Sequence, residues 1–124
     1  MRLFKKLIAA SAITLLGISV AAAQETLKIG HIIVTSGPLK GPGEPSIAAV
    51  DLAVAKINGS GGVNGKMIEI IRFDSASDPK QASLGARKLA KDDGVIAILG
   101  PFSSGEAAVA FNVAEREKIV MMSN

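Results

Sequence analysis

The chain has 124 residues, a formal net charge of +3 and no cysteine, with apolar residues at 48% and charged ones at 20%. That composition fits one small globular domain rather than a disordered chain. The missing cysteine excludes a disulfide framework, thiolate metal sites, a cysteine nucleophile and a lipid-modified N-terminal cysteine.

Arg2, Lys5 and Lys6 precede an uncharged apolar run from Leu7 to Val20, which ends in Ala21-Ala22-Ala23 before the polar pair Gln24-Glu25. A basic start, a short apolar stretch and an A-x-A end are the parts of a secretory signal peptide. The run is shorter than the roughly 20 residues a membrane span needs. Residues 1–23 are therefore expected to be a cleaved export signal, and residues 24–124 the mature chain in the periplasm. Removing those 23 residues takes away three of 14 basic groups and leaves 11 against 11 acids. The basic character belongs to the signal. No cluster of Lys and Arg remains to displace counterions from a phosphate backbone, which excludes nucleic acid as a partner. Only Phe73, Phe102 and Phe111 remain as aromatic residues, so rings to stack on sugars or bases are also scarce.

Leu27 to Val34 is a β-rich apolar run that predicts a strand. Thr35 to Gly43 carries Gly and Pro clusters and reads as a loop, after which Pro45 suits the first residue of a helix. Ile47, Val50, Val54 and Ile57 then follow at helical spacing, and Asn58-Gly59 ends the pattern. Gly59 to Gly65 predicts a tight turn rich in positive-φ positions. Lys66 to Phe73 predicts the second strand. Asp78-Pro79 opens a second helix, with Asp as cap and Pro in the first turn, carrying Ala82, Ala86, Leu89 and Ala90 inward to about Asp93.

Val95 to Leu99 is a continuous apolar run, as expected of a strand covered on both faces. Ser104 is a suitable cap for a third helix from Gly105 to about Glu117, and Ile119 to Met122 predicts a fourth strand. Strands alternating with helices imply an α/β fold: a Rossmann-like parallel sheet with helices on both faces and right-handed crossovers. The fourth apolar run falls where a further loop and helix are expected, so the chain reads as part of a longer protein.

In such sheets ligands bind outside the carboxyl ends of the strands. Of those loops, Gly100 to Gly105 is the most informative, because it brings two hydroxyls and free backbone N–H groups to a helix start. That combination suits an anion, a carboxylate above all, although a serine there can equally serve only as a helix cap.

Catalytic motifs fail on specific residues. A nucleophile elbow at Ser103 has Pro101 in its first glycine slot and no histidine after it. Gly65-Lys66 lacks both ends of a phosphate loop and joins a helix to a strand, the wrong direction. Gly41-Pro42-Gly43-Glu44-Pro45-Ser46 has Ser46 in place of the last glycine of a dinucleotide fingerprint. Asp74 and Asp78 read as turn and cap residues, and His31 as a packed residue of the first strand. The sequence offers no catalytic, metal or cofactor site.

An ordered set of short motifs runs from Leu27 to the end. It comprises Leu27-Lys28-Ile29-Gly30, Ser36-Gly37-Pro38, Ala53-Val54 with Ile57-Asn58, Gly61-Gly62-Val63-Asn64-Gly65, Asp74 with Ser77 to Ala82, Asp93-Gly94-Val95, and Leu99-Gly100-Pro101 with Ser103-Ser104. In this order and behind a signal peptide, the set resembles the periplasmic Leu/Ile/Val-binding proteins, the type I solute-binding receptors of bacterial ABC importers. The resemblance implies a partial N-terminal lobe of a two-lobed receptor that closes on a small solute, usually an amino acid, and presents it to an inner-membrane permease.

It also implies that Ser104 meets the solute's α-carboxylate, with Ser103, Phe102 and Pro42 nearby in the ligand-binding loops. Two departures are visible. Some members join the loops at Ser77 and Ser103 by a disulfide, and both are serine here. Some offer an aromatic ring where this chain has Pro42, so the solute could instead be an amide, urea or an aromatic acid. A ligand-sensing domain of the same fold is the other class the sequence admits.

Overall fold

The computed structural model describes residues 25–123. The expected signal segment, residues 1–23, lies outside the described residues. Four strands and three helices alternate: β1 (Thr26–Ile33), α1 (Lys40–Gly59), β2 (Met67–Asp74), α2 (Pro79–Lys91), β3 (Ala97–Leu99), α3 (Ser104–Glu117) and β4 (Val120–Met122). The strands form one parallel sheet in the order β2-β1-β3-β4. This is the α/β architecture that the alternating pattern predicts.

Register fixes which side chains share a face. Gly30 and Ile32 of β1 pair with Ile71 and Phe73 of β2, and Gly30 with Ile98 of β3. This face meets α2 and α3, which also pack on each other. Its buried core joins Ile32, Ala82, Ala86, Leu89, Val95, Ile98, Ala110 and Val113. Small residues set the spacing here. A Cβ on Gly85 of α2 would stand 2.4 Å from a ring carbon of Phe73, so glycine lets α2 approach β2. The opposite face carries His31 and Arg72 as register partners and is covered by α1, whose Asp51 bonds Arg72. Helices therefore lie on both faces.

Several boundaries differ from the sequence expectation. The first helix begins at Lys40, five residues before Pro45, so Thr35 to Gly43 is a loop only as far as Leu39. Pro42 is tolerated because the first four N–H groups of a helix have no intrahelical acceptor. The first such bond runs from Gly43 N–H to Leu39 O at 3.0 Å. Gly43 also has a packing reason, since a Cβ there would press to 3.0 Å on Val34 Cβ. The stripe of Ile47, Val50 and Val54 is half-buried, while Ile57 stays exposed. At the other end, Asn58 does more than stop the helix: its side chain exchanges two hydrogen bonds with the backbone of Ile68, at 2.8 and 2.9 Å.

The third strand is shorter than the apolar run that predicts it. Val95 N–H still bonds Leu89 O of α2, so Val95 belongs to the turn, and Ile96 is 57% exposed. Of the run Val95 to Leu99, Val95 and Ile98 are buried as expected, while Ala97 and Leu99 are half-buried. The α3 cap is Ser103, not Ser104. Ser103-x-x-Glu106 is a capping-box pattern, and its reciprocal bonds outcompete a cap one residue later.

Candidate functional site

The carboxyl ends of the parallel strands bring three segments together: Thr35–Leu39 after β1, Ser75–Asp78 after β2 and Gly100–Ser103 after β3. Two of them are joined by Asp74, the last residue of β2. Its carboxylate accepts from Thr35 Oγ1 at 2.6 Å, Thr35 N–H at 3.0 Å, Ser36 Oγ at 2.9 Å and Ala76 N–H at 3.0 Å. Burial raises the carboxyl pKa, but the bonds from Thr35, Ala76 and Ser36 outweigh it and hold the group at about 2.

Ser77 adds a second tie. Its Oγ accepts from Leu39 N–H at 3.1 Å, serving the start of α1, and reaches Ser36 O at 3.3 Å. Where a disulfide is expected in some relatives, Ser77 thus bonds the first loop and Ser103 caps α3. Asp78 caps α2 through Lys80 N–H at 2.6 Å, as the sequence predicts.

The third segment carries the candidate anion site. Ser103 Oγ accepts from Glu106 N–H at 3.4 Å and Ser103 N–H donates to Glu106 Oε2 at 3.3 Å, closing the capping box, while Ser103 Oγ also donates to Glu106 Oε2 at 2.6 Å. The hydroxyl expected to meet a ligand at this residue is thereby engaged with its own helix. Ser104 is the first residue of α3 and exposed. Its hydroxyl and the N–H groups of Ser104 and Gly105 have no partner among the described residues. Two N–H donors and a hydroxyl at the positive end of a 14-residue helix can receive a carboxylate oxygen.

Phe102 is half-buried in the same loop, beside Ser103. Pro42 lies in the first turn of α1 rather than in a loop, and is exposed. Because β1 and β3 are neighbours, these residues stand over adjacent strand ends. Among the described residues the arrangement is an open ledge, with Pro42, Ser104 and Gly105 exposed. A shallow apolar cavity of about 400 Å³, lined by Pro79, Lys80, Ser83, Leu84 and Val109, lies between α2 and α3 and touches none of these groups.

Sequence reading missed Glu106, which is fully buried, although its place three residues after Ser103 was the available signal. It also missed Thr35 and Ser75 as partners of these acids. His31 is fully buried in the centre of the sheet, and neither ring nitrogen has a hydrogen-bond partner among the described residues. That burial agrees with a packed residue of the first strand.

Comparison with known proteins places this geometry in a family. The periplasmic binding protein family model matches residues 26–124. The chain belongs to that family. Within it, the chain is 33% identical over 108 residues to the Leu/Ile/Val-binding protein of Escherichia coli (strain K12), covering 87% of this chain and 29% of that protein. It is 41% identical over 111 residues to Leu/Ile/Val-binding protein homolog 7 of Brucella suis biovar 1, covering 90% of this chain and 27% of that protein.

Among solved structures, the substrate-binding protein of a branched-chain amino acid transporter from Streptococcus pneumoniae, in complex with isoleucine, superposes with a TM-score of 0.78 at 33% identity. The match covers 80% of this chain and 28% of that one. The type 1 periplasmic binding protein of Bordetella pertussis gives a TM-score of 0.73 at 32% identity, over 79% and 26% of the two chains. The chain thus spans less than a third of the length of these relatives.

Proposed function

We propose that this chain forms part of the first lobe of a periplasmic solute receptor serving an ABC importer. Residues 1–23 direct export and are removed. The solute is a small molecule bearing a carboxylate, a branched-chain or other amino acid, and a second lobe closes over it by hinge motion. The closed receptor then delivers the solute to an inner-membrane permease. The chain carries out binding rather than catalysis, and needs no cofactor and no nucleic acid.

The observation that supports this reading best is the division of labour at α3. Ser103 takes the cap, so the Ser104 hydroxyl and the N–H groups of Ser104 and Gly105 stay open at the helix's positive end. A carboxylate placed there is met by charge-assisted hydrogen bonds from groups already held in place. Phe102 and Pro42 would border the rest of the solute.

The test is calorimetric titration of the complete receptor with the twenty amino acids, followed by the amide of the best binder. Binding of an amino acid, with loss of binding when its carboxylate becomes an amide, is the expected result. Equal affinity for acid and amide would remove the carboxylate site at Ser104. Silence across the whole panel would remove the amino-acid reading.

A further inference from the structure

Glu106 is a fully buried carboxylate that takes no direct part in the proposed binding step, yet two strand-end segments bond it and a third reaches it through Ser75. Its Oε1 accepts from Ser75 Oγ in the loop after β2. Its Oε2 accepts from Ser103 Oγ at 2.6 Å and from Ser103 N–H at 3.3 Å. Ser75 is in turn fixed to the end of β1, through its N–H, which donates to Ile33 O at 2.9 Å. One side chain therefore ties the end of β1, the loop after β2 and the first turn of α3 together.

An ordinary capping box needs only the two helix residues. The third contact, from Ser75 across 31 residues of chain, has no part in capping. It holds the α3 start at a set distance from the neighbouring strand ends. The other carboxylate oxygen keeps the Ser103 hydroxyl occupied, which leaves Ser104 as the first free hydroxyl.

We infer that Glu106 is a positioning residue, holding the first turn of α3 against the β1 and β2 ends so that Ser104 and Gly105 face the solute. The inference rests on the proposed carboxylate site. A group that merely stabilised the fold would lower the unfolding temperature and leave affinity alone. A positioning group changes affinity at temperatures where the variant is fully folded.

The experiment compares Glu106→Ala and Glu106→Gln in the complete receptor, with L-leucine as the probe, titrated well below both unfolding temperatures. Gln preserves the capping box and still accepts from Ser103, so affinity should match that of wild type. Ala releases Ser75 and Ser103 together, and affinity should fall about tenfold or more. Wild-type affinity in the folded Ala variant would overturn the inference.

Should the Ala variant fail to fold, Ser75→Ala unhooks only the cross-strand contact. It should weaken leucine binding by about threefold, and unchanged affinity would overturn the inference equally. If the wild-type receptor itself binds no amino acid, the functional reading fails separately. Positioning is then read without ligand, by amide exchange in the Ser75→Ala variant. Faster exchange at Ser75 and Ala107 than in the β1–β2 ladder supports positioning, and uniform exchange overturns it.

Discussion

Thr35 Oγ1 donates to Asp74 Oδ2 at 2.6 Å, joining the ends of two neighbouring strands across 39 residues of chain. The same carboxylate takes two backbone N–H groups and a second hydroxyl, so four donors depend on one acid. These bonds form the rim of the ledge on which the proposed site stands.

Asp74 should therefore support the fold only while it is ionised. Its pKa is depressed from an ordinary 3.8 to about 2, so the stabilisation is complete above pH 3.8 and is lost as pH falls through 2. Asp74→Asn should cost about 1–2 kcal/mol at neutral pH, after allowance for solvent screening at this half-buried site. Urea unfolding should show the difference from wild type shrinking between pH 4 and pH 2. A difference that persists undiminished at pH 2 would assign the effect to shape rather than charge.

Neighbouring serines at the start of α3 should behave differently. Ser103→Ala removes the cap and one of the donors to buried Glu106, and should cost about 1–2 kcal/mol of stability. Ser104→Ala removes an exposed hydroxyl with no partner among the described residues, so the unfolding temperature should hardly move. Binding of a carboxylate solute should instead weaken by about 1–3 kcal/mol, because a hydrogen bond to a charged group is lost. Thermal unfolding and calorimetry on both variants read the two effects separately. Unchanged affinity in Ser104→Ala would take that hydroxyl out of the site.

The strands were legible because short runs such as Leu27–Val34 and Lys66–Phe73 combine β-branched residues with turn residues at both ends. The helix start at Lys40 was hidden by Gly41, Pro42, Gly43 and Pro45, which look like a loop in sequence. Only tertiary contacts explain them: Gly43 lets the helix touch Val34, and Pro42 sits where no N–H is needed. Ser104 is singled out in sequence by its place in the strand–loop–helix pattern and in the family motif. Its freedom, however, depends on Ser103 and Glu106. Ser75 lies 31 residues before Glu106, and no local pattern could pair them.

His31 gives the fold a second pH dependence, in a different window. Burial is the larger cause that lowers its pKa, with the positive charge of Arg72 adding to it and Asp51 of α1 opposing, and the result is about 4 against an ordinary 6.5. The unfolded chain then binds the proton more readily, so stability present above pH 6.5 falls as pH drops toward 4. The loss between pH 7 and pH 4 should be about 3 kcal/mol. His31→Leu keeps an apolar side chain of similar size and removes two ring nitrogens that lack partners. It should flatten stability across that window without lowering it at pH 7, as read from urea midpoints. A persistent slope in the Leu variant would place the titrating group elsewhere.

The β4 edge determines how the chain behaves by itself. Val120 and Met122 are 70% and 66% exposed on the sheet face that α1 covers only over β1 and β2. A three-residue edge strand with unpaired backbone groups and exposed apolar side chains invites pairing with another chain. Residues 24–124 expressed alone should consequently aggregate and lack a cooperative thermal transition. Lysine at both positions places charge on that edge without touching Met121, which packs on the core. The double variant Val120→Lys, Met122→Lys should stay soluble at concentrations where the unmodified segment scatters light. Equal scattering from both would move the source of aggregation to the exposed Leu84 and Phe111 of α2 and α3. A sharp thermal transition in the unmodified segment would show instead that the core around Ile32, Leu89 and Ile98 is sufficient to fold it.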